Sequence, residues 1–374
     1  MRRRSAASSR STRRSPAAAL GAPLAGGVAI ALVALLCDVP AAAVDAGALA
    51  PSERAAILAL GPWPQAPIRD ADNPASGNPA GIALGESLFH SPRLSPTGLR
   101  CASCHEPWRH FADGRVVAQG MAAGSRNTPS LLDAARHRHY GWDGARDQLW
   151  QQSLRPLQDA REMPASNAQV AALVRGDAAL SARLAAVFGD TPDADADGAR
   201  VTREVGLALA AYVETLASPR TPFDDWRDRL AGAPGGLEPA ASDAFPAAAR
   251  RGLRLFVGRA GCAACHAGPT FSDDAFHLSL VHSMSAPGVP DTGHPGAPAN
   301  TFRTPGLRDV ASTAPYLHDG SAARLCDAVQ PHAADRGDMP PLLTAAERHD
   351  LVAFLRTLSA DASNDGAAEP CGGR

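Results

Sequence analysis

Two short motifs of cysteine and histidine carry the clearest chemistry of this sequence. They read Cys-Ala-Ser-Cys-His at Cys101–His105 and Cys-Ala-Ala-Cys-His at Cys262–His266. C-x-x-C-H is the attachment signature of c-type haem, in which both thiols form thioethers and the adjacent histidine binds the iron. The predicted attachment residues are Cys101, Cys104, Cys262 and Cys265, and the predicted proximal ligands are His105 and His266.

Two other uses of paired cysteines fit these motifs less well. A zinc ribbon places its two C-x-x-C pairs about 15–20 residues apart, whereas Cys262 follows Cys101 by 161 positions. A thioredoxin-like dithiol needs one pair in a βαβ context, and no such pattern surrounds either motif. Two covalently bound c-type haems are therefore the expected cofactors.

Cys326 and Cys371 are left over once the haem motifs and Cys37 have been assigned. In an oxidising compartment, two spare thiols predict a disulfide that ties down the C-terminal tail. Two unpaired thiols are the alternative.

The first 43 residues have the order of an export signal. Residues 1–14 are rich in Arg and Ser without an acid, Val28–Cys37 is an unbroken apolar run, and Ala41–Ala43 offers small residues for cleavage. This order predicts a cleavable signal peptide over residues 1–43 and a periplasmic protein, with an uncleaved anchor as the alternative.

The charge balance argues against one class of partner. Residues 1–43 hold six of the 36 basic and one of the 38 acidic residues, so the remainder carries a net charge of −7. A nucleic-acid-binding surface needs the opposite sign. We therefore expect no nucleic acid among the partners.

The two motif segments repeat each other beyond C-x-x-C-H. Leu-Phe precedes the motifs, ending at Phe89 and Phe256, and Phe-x-Asp follows them, beginning at Phe111 and Phe271. Such a repeat predicts duplicated haem domains. The predicted division is an N-terminal haem domain over 44–235 and a C-terminal haem domain over 236–374.

Helical periodicity and long loops predict the fold class. Apolar residues recur at helical spacing over 168–188 and 197–217, and Thr344 with Glu347 predicts a capping box for a last helix. The Pro/Gly-rich stretch 284–306 predicts an ordered loop rather than a strand. The expected class is mainly α, with two c-type cytochrome-like haem domains and long ordered loops.

Several short segments follow one another in a specific order around the haem motifs. In that order the chain, over most of residues 81–358, resembles the bacterial di-haem cytochrome c peroxidase family, which includes the MauG-like enzymes. The segments are Gly85-Glu-Ser-Leu-Phe89, Arg126-Asn-Thr-Pro-Ser-Leu131, Gly141-Trp-Asp-Gly144, Gln151-Gln-Ser-Leu-Arg-Pro156, Glu162-Met, Phe302-Arg-Thr-Pro-Gly-Leu-Arg308 and Thr313-Ala-Pro-Tyr-Leu-His-Asp-Gly320.

The resemblance implies that the first haem is peroxidatic, with His105 on one side of the iron and an open face on the other. It implies an acid–base residue at Glu162, with Gln152 in the same pocket; a carboxylate suits this role. For an arbitrary Glu the alternative is a solvated loop carboxylate. It also implies that Trp142 relays electrons between the haems. The alternative is that Trp142 is an ordinary core residue.

In this family a His from the loop after the first haem can close the open face. Here that loop, Ala112–Ser125, contains no His. This departure predicts an open haem that needs no prior reduction. His137 and His139 are the nearby alternatives, although a polar surface loop is their expected place.

The resemblance also addresses the second haem, whose proximal ligand is His266. The family's sixth ligand lies 14 residues after the His of the H-D-G step. Counting from His318 gives His332, and bis-His ligation lowers the potential relative to His/Met ligation. Met339 is the alternative.

A calcium ion between the haem domains is the last implied cofactor. The family binds it through one Asn side chain and two backbone carbonyls, which are oxygen ligands that suit a hard cation. The matching residues are Asn127, Thr313 and Pro315. The alternative for Asn127 is a turn residue that bonds its own backbone.

The resemblance implies an exported peroxidase that reduces hydrogen peroxide to water. Its electrons would come from a small soluble c-type cytochrome or a cupredoxin, and a homodimer, common in the family, is a further expectation. The alternative is a MauG-like oxidase that uses peroxide to oxidise residues of a partner protein. A non-enzymatic electron carrier is disfavoured, because a carrier has no use for an acid such as Glu162.

Overall fold

The computed structural model describes residues 49–189, 197–234, 237–278, 301–329 and 343–360, together with Cys371. The predicted signal peptide lies outside these residues. So do His332 and Met339, the two candidates for the sixth ligand of the second haem. Within the described ranges, no helix is long and apolar enough to cross a membrane.

Helices dominate the described residues, which confirms the mainly α expectation. One small antiparallel sheet accompanies them, with His277 opposite Phe302. Residues 301–303 therefore form a strand where the sequence predicted a loop. The elements are α1 (Pro51–Leu58), α2 (Pro79–Phe89), α3 (Leu149–Gln158), α4 (Asn167–Gly176), α5 (Ala178–Phe188), α6 (Ala199–Val213), α7 (Pro222–Gly232), α8 (Ala247–Val257), β1 (Phe276–Leu278), β2 (Thr301–Arg303), α9 (Leu325–Ala328) and α10 (Ala345–Arg356).

Local capping sets several helix ends. The predicted helix over 168–188 is two helices, because the Asp177 side chain accepts a hydrogen bond from Leu180 N and starts α5. The predicted capping box of the last helix is confirmed, since Thr344 Oγ1 accepts from Glu347 N and the Glu347 carboxylate accepts from Thr344 N. Both arrangements satisfy amide groups that a helix start leaves without intrahelical partners.

A first hydrophobic cluster gathers α2 to α6. Its centre is α6, which is buried along most of its length. The helix α2 crosses it closely at Gly85, where a Cβ atom would collide with the carbonyl of Ala208. This cluster lies beside the first motif, because it includes Ala102.

A second hydrophobic cluster gathers α1, α7, α8 and α10. Its interior is aromatic, with Phe256 edge-on to Phe271 and Phe354 at 6.0 and 5.1 Å between ring centroids. The helix α8 crosses α10 closely at Gly252, where a Cβ atom would collide with the carbonyl of Asp350. The helix α7 belongs to this cluster although it lies within the predicted N-terminal domain, which ends at residue 235. The domain boundary between residues 235 and 236 stays a prediction.

The sequence repeat is thus also a packing repeat. Gly85 and Gly252 each lie four residues before the Phe that ends the Leu-Phe pair. Each glycine lets its helix approach the backbone of a neighbour more closely than a side chain would allow. The same helix crossing therefore precedes both haem motifs.

Two long-range links are made in and around the second cluster. Arg308 makes a two-pronged ion pair with Asp224, at 3.0 Å for both contacts, and lies 3.8 Å from the ring centroid of Trp63. Cys326 on α9 is disulfide-bonded to Cys371, with Cα atoms 5.5 Å apart. The predicted disulfide is therefore confirmed, and it fixes Cys371 beside α9.

Candidate functional site

The first C-x-x-C-H motif folds as a 3₁₀ turn over Cys101–Ser103. The amide groups of Cys104 and His105 both donate to Cys101 O, at 3.2 and 2.9 Å. This turn brings the two sulfur-bearing residues and the histidine together. The second motif repeats it, with Cys265 N and His266 N donating to Cys262 O at 3.2 and 2.9 Å.

Both motif histidines are held in the orientation that iron ligation needs. His105 Nδ1 lies 3.1 Å from Phe111 O, and His266 Nδ1 lies 3.0 Å from Phe271 O. A proton on Nδ1, donated to the carbonyl, leaves Nε2 as the metal-binding atom. Phe111 and Phe271 both have left-handed backbones, at φ 59° and 57°, which turn these carbonyls toward the rings.

Burial lowers the pKa of His105, so its imidazole is neutral, as a metal ligand must be. The residues of both motifs therefore fit covalently attached haem.

The thiol pKa values argue against a redox dithiol. Burial is the main cause that raises the pKa of Cys101 to about 12 and those of Cys104 and Cys262 to about 11. Redox-active C-x-x-C thiols have lowered pKa values, because the thiolate is the reactive form. The dithiol alternative thus loses support.

One cluster near the second motif has the composition of a metal site. Ligand atoms of Cys265, Asp273 and His277 lie within 4.8 Å of one another. Thioether formation would remove the thiolate that such a site needs from Cys265. What remains is the pair of Asp273 and His277, whose Oδ2 and Nε2 atoms lie 2.8 Å apart.

Glu162 lies in the loop that follows α3, beside the first haem motif. Its carboxylate contributes, after burial and Asp113, to the raised pKa of Cys104. Its Oε1 accepts a hydrogen bond from Arg155 Nη1 at 2.5 Å, and its carbonyl accepts from Met121 N at 3.0 Å. The acid predicted from the sequence is therefore tied at its backbone to the loop after the first motif.

Gln152 and Arg155 lie one turn apart on α3, on the side away from the buried Leu154. The Gln152 side chain extends to Gly141, whose φ of 80° begins the Gly-Trp-Asp-Gly turn. The structure therefore brings Gln152 to the Trp142 loop, and Arg155 links the same helix to Glu162.

Trp142 connects the first haem segment with the sheet that follows the second. Its Nε1 donates to Asn127 O at 2.8 Å, and its own carbonyl accepts from Arg303 N at 3.0 Å. The ring is half-buried. These contacts give Trp142 a bridging location.

Asn127 is buried and its amide is oriented by its neighbours. Its Nδ2 donates to Arg115 O at 2.8 Å, and its backbone N donates to His318 O at 2.9 Å. Thr313 and Pro315 precede His318 in the same segment, with Thr313 at the end of a 3₁₀ turn. The described contacts thus join the segments of the three predicted calcium ligands through His318.

The alternative histidines near the first motif are engaged elsewhere. The His137 side chain is only 9% exposed, whereas the sequence predicted a polar surface loop, and its Nδ1 lies 2.7 Å from Asp274 Oδ1. His139 packs its ring against Phe276. Both therefore face the second haem segment. His110 Nδ1 lies 2.5 Å from the buried Asp309.

Sequence reasoning missed two groups in this region. Arg155 is the first, because an Arg in a helix gives no sign of its partner until the chain folds. His318 is the second; the sequence analysis uses it only to locate His332, yet its ring lies flat on Phe302 at 3.9 Å between centroids. Burial is the main cause that lowers the pKa of His318 to about 4. The H-D-G step could have marked it as a buried residue.

Comparisons with known proteins agree with this geometry. A family profile described as di-haem cytochrome c peroxidase matches residues 79–231. The methylamine utilization protein MauG of Methylorubrum extorquens is 36% identical over 297 residues, which cover 76% of this chain and 79% of that protein. The cytochrome c551 peroxidase of Nitrosomonas europaea is 30% identical over 286 residues, or 74% of this chain and 79% of that protein.

Solved structures give the same result. A MauG-like protein associated with microbial copper homeostasis superposes with a TM-score of 0.62 at 30% identity, over 80% of this chain and 95% of that one. The diheme peroxidase BthA from Burkholderia thailandensis superposes with a TM-score of 0.64 at 28% identity, over 76% of this chain and 87% of that one.

Proposed function

We propose, since this chain belongs to the di-haem cytochrome c peroxidase family, that it reduces hydrogen peroxide to water beside Glu162. The observation that carries the proposal is the Glu162 carboxylate, held next to the first haem motif by Arg155 and by the amide of Met121. A carrier that only exchanges electrons would not need a proton-transferring group there.

The chain would hold two haems through Cys101, Cys104, Cys262 and Cys265, with His105 and His266 as proximal ligands. When bound, each haem would supply a redox-active iron for the reduction of peroxide. The Nδ1 contacts of both histidines support this assignment, because they reserve each Nε2 for iron.

Glu162 would act as a proton shuttle on bound peroxide. Its carboxylate accepts the proton of one peroxide oxygen and returns it to the other, so that the O–O bond breaks with water as the leaving group. Two electrons and two protons complete the reduction to two waters. Gln152 would orient the peroxide from the same helix face as Arg155.

Electrons would enter at the second haem and cross by way of Trp142. The bridging contacts of Trp142, to Asn127 and to Arg303, support this route. The donor would be a small soluble c-type cytochrome or a cupredoxin. The net charge of −7 beyond residue 43 would favour a basic donor through long-range attraction.

Three further assignments complete the proposal. A calcium ion would bind Asn127 Oδ1 and the carbonyls of Thr313 and Pro315. His332 would be the sixth ligand of the second haem. Residues 1–43 would direct the chain to the periplasm, and the mature protein would consist of haem domains over 44–235 and 236–374, as a homodimer.

A MauG-like oxidase is the second candidate. The 36% identity to a methylamine utilization protein favours it, and a sixth ligand more electron-donating than Met would do so too. In that case peroxide would oxidise residues of a partner protein. The proton role of Glu162 would be the same, whereas the reductant would differ.

The deciding experiment measures peroxide-dependent oxidation of a reduced small cytochrome c by the fully oxidised haem-loaded protein. We expect rapid turnover without pre-reduction and a loss of about 10²-fold or more in Glu162→Gln. If the haem spectrum responds to peroxide but the cytochrome is not oxidised, the peroxidase proposal is wrong and the oxidase candidate replaces it.

A further inference from the structure

Arg155 is the cation nearest to the proposed acid. Its Nη1 lies 2.5 Å from Glu162 Oε1, while its Nη2 lies 3.6 Å from Asp159 Oδ2. The guanidinium therefore spans two carboxylates, one at the end of α3 and one three residues later. A charge-assisted hydrogen bond of this length restrains the rotamer of both partners.

The bond to Arg155 divides the work of the two Glu162 oxygens. Oε1 is committed to the guanidinium, so the proton chemistry must use Oε2. The backbone of Glu162 is also fixed, because Met121 N donates to its carbonyl and a Cβ at Gly120 would collide with its Cα. With backbone and Oε1 restrained, the direction of Oε2 is determined.

Arg155 also lies at the surface. With Arg146, Gln158, Asp159 and Ala160 it lines a cleft of about 280 Å³, and 42% of its side chain is exposed. Glu162 is itself 31% exposed beside this guanidinium. Solvent protons can therefore reach the carboxylate next to a group that carries a permanent charge.

We propose that Arg155 is a positioning residue for Glu162, which engages Oε1 and so directs Oε2 to the peroxide. The inference rests on the proposed function of Glu162. In the first step the carboxylate accepts the proton of one peroxide oxygen, and it then returns that proton to the other. The carboxylate is regenerated, the O–O bond breaks with water as the leaving group, and two electrons from the donor with two solvent protons convert the remaining oxygen to the second water.

Among the charged groups near Glu162, which include Asp113 and Arg115 around Cys104, Arg155 is the one whose ion pair with the carboxylate the described residues show. From the same loop, Asp159 and Arg161 pair with each other, at 3.6 Å. From the attachment turn, Cys104 is protonated because its pKa is raised, and it is a thioether once haem is attached. The packed segment 119–122 contributes no ionisable residue. Loss of the Arg155 cation should therefore act directly on the carboxylate.

The test compares Arg155→Gln, Arg155→Lys and the control Arg161→Gln in the haem-loaded protein. We expect Arg155→Gln to lower kcat/KM for peroxide about 10- to 100-fold, mostly in kcat. Arg155→Lys should recover part of the rate, because it restores the charge. Arg161→Gln, which removes an Arg from the same loop, should match the wild type.

A second measurement does not depend on turnover. Infrared difference spectra against Glu162→Gln should show the carboxylate stretching bands of Glu162 at different frequencies in Arg155→Gln and in the wild type. These frequencies respond to hydrogen bonds at the carboxylate oxygens, and Arg155 donates one to Oε1. Unchanged bands, together with an unchanged kcat, would overturn the inference.

The double variant separates this inference from the proposed function. In a Glu162→Gln background, Arg155→Gln should cause no additional loss, since its effect passes through Glu162. An equal loss in both backgrounds would show that Arg155 acts in another way and overturn the inference alone. Full activity of Glu162→Gln itself would overturn the proposed function, and the inference with it.

Discussion

Replacement of Arg308 by Met should destabilise the folded protein far more than the loss of an ordinary surface ion pair. The side chains of Arg308 and Asp224 are 2% and 1% exposed, and both contacts between them measure 3.0 Å. Arg308 Nε also donates to Pro269 O at 2.5 Å. Arg308→Met keeps much of the volume and removes the charge.

The magnitude follows from what remains behind. Asp224 Oδ2 would still accept hydrogen bonds from Thr221 N and Thr221 Oγ1, both at 2.9 Å. Its charge, however, would lack a counter-ion in a buried site, and breaking a buried pair from one side costs about 3–5 kcal/mol. The double variant Arg308→Met/Asp224→Asn should lose less than the sum of the single changes, because no unpaired charge remains.

The assay is guanidinium unfolding of the haem-loaded protein, followed by far-ultraviolet circular dichroism. A matched control is Arg251→Gln, which breaks the pair with Asp350 at a site where the Arg side chain is 60% exposed. Such pairs contribute about 0–1 kcal/mol. If Arg308→Met loses no more free energy of unfolding than Arg251→Gln, the reasoning from burial is refuted.

The remaining predictions concern a covalent link and a buried imidazole. Cys326→Ser should lose about 2–4 kcal/mol of stability by releasing Cys371. A reductant should lower the unfolding temperature of the wild type but not that of the variant. An unchanged unfolding temperature in the wild type, after thiol titration has shown that the disulfide is reduced, would contradict this. Burial is the main cause that lowers the pKa of His137, and the charge of Arg303 lowers it further. Together they outweigh the hydrogen bond to Asp274, which raises this pKa. The neutral imidazole therefore contributes stability above pH about 6.5 that is lost as pH falls toward the lowered pKa; unfolding curves of His137→Gln should lack this loss, and equal slopes in both proteins would refute it.

Local signals explain what could be predicted from the sequence. The C-x-x-C-H spacing specifies a turn whose amides converge on the first Cys carbonyl, and the structure has that turn at Cys101 and at Cys262. The capping box at Thr344 and the mainly α class follow from equally local patterns. The disulfide of Cys326 with Cys371 required only a count of the remaining thiols.

The features that were not predicted depend on residues far apart in the chain. The strands β1 and β2 have three residues each, which is too short for an alternating pattern to appear. Arg308 and Asp224 are 84 positions apart in a chain with 36 basic and 38 acidic residues, so no rule of spacing could pair them. Arg155 and Glu162 are only seven apart, but the turn after α3 decides that they meet.

The difference between the two haem motifs arises from the elements packed around a shared core arrangement. Both motifs follow a helix that crosses a neighbour at a glycine, and both orient their histidine through a left-handed Phe carbonyl. Within the described residues, only the first motif is followed by α3, which carries Arg155, and by the loop that carries Glu162. The second is followed by the pair Asp273–His277, the sheet, and α9 with its disulfide.

This arrangement places the specialised chemistry outside the repeated part. The turn, the glycine crossing and the His–carbonyl contact position a ligand, and they would serve any c-type haem. The proton transfer that we propose requires a carboxylate at a set place, and Glu162 lies in the loop that follows α3. Introducing a Glu alone beside His266 should therefore confer no peroxidase activity on the second haem. That substitution would supply neither a guanidinium like that of Arg155 nor an amide like that of Met121 to restrain the new carboxylate.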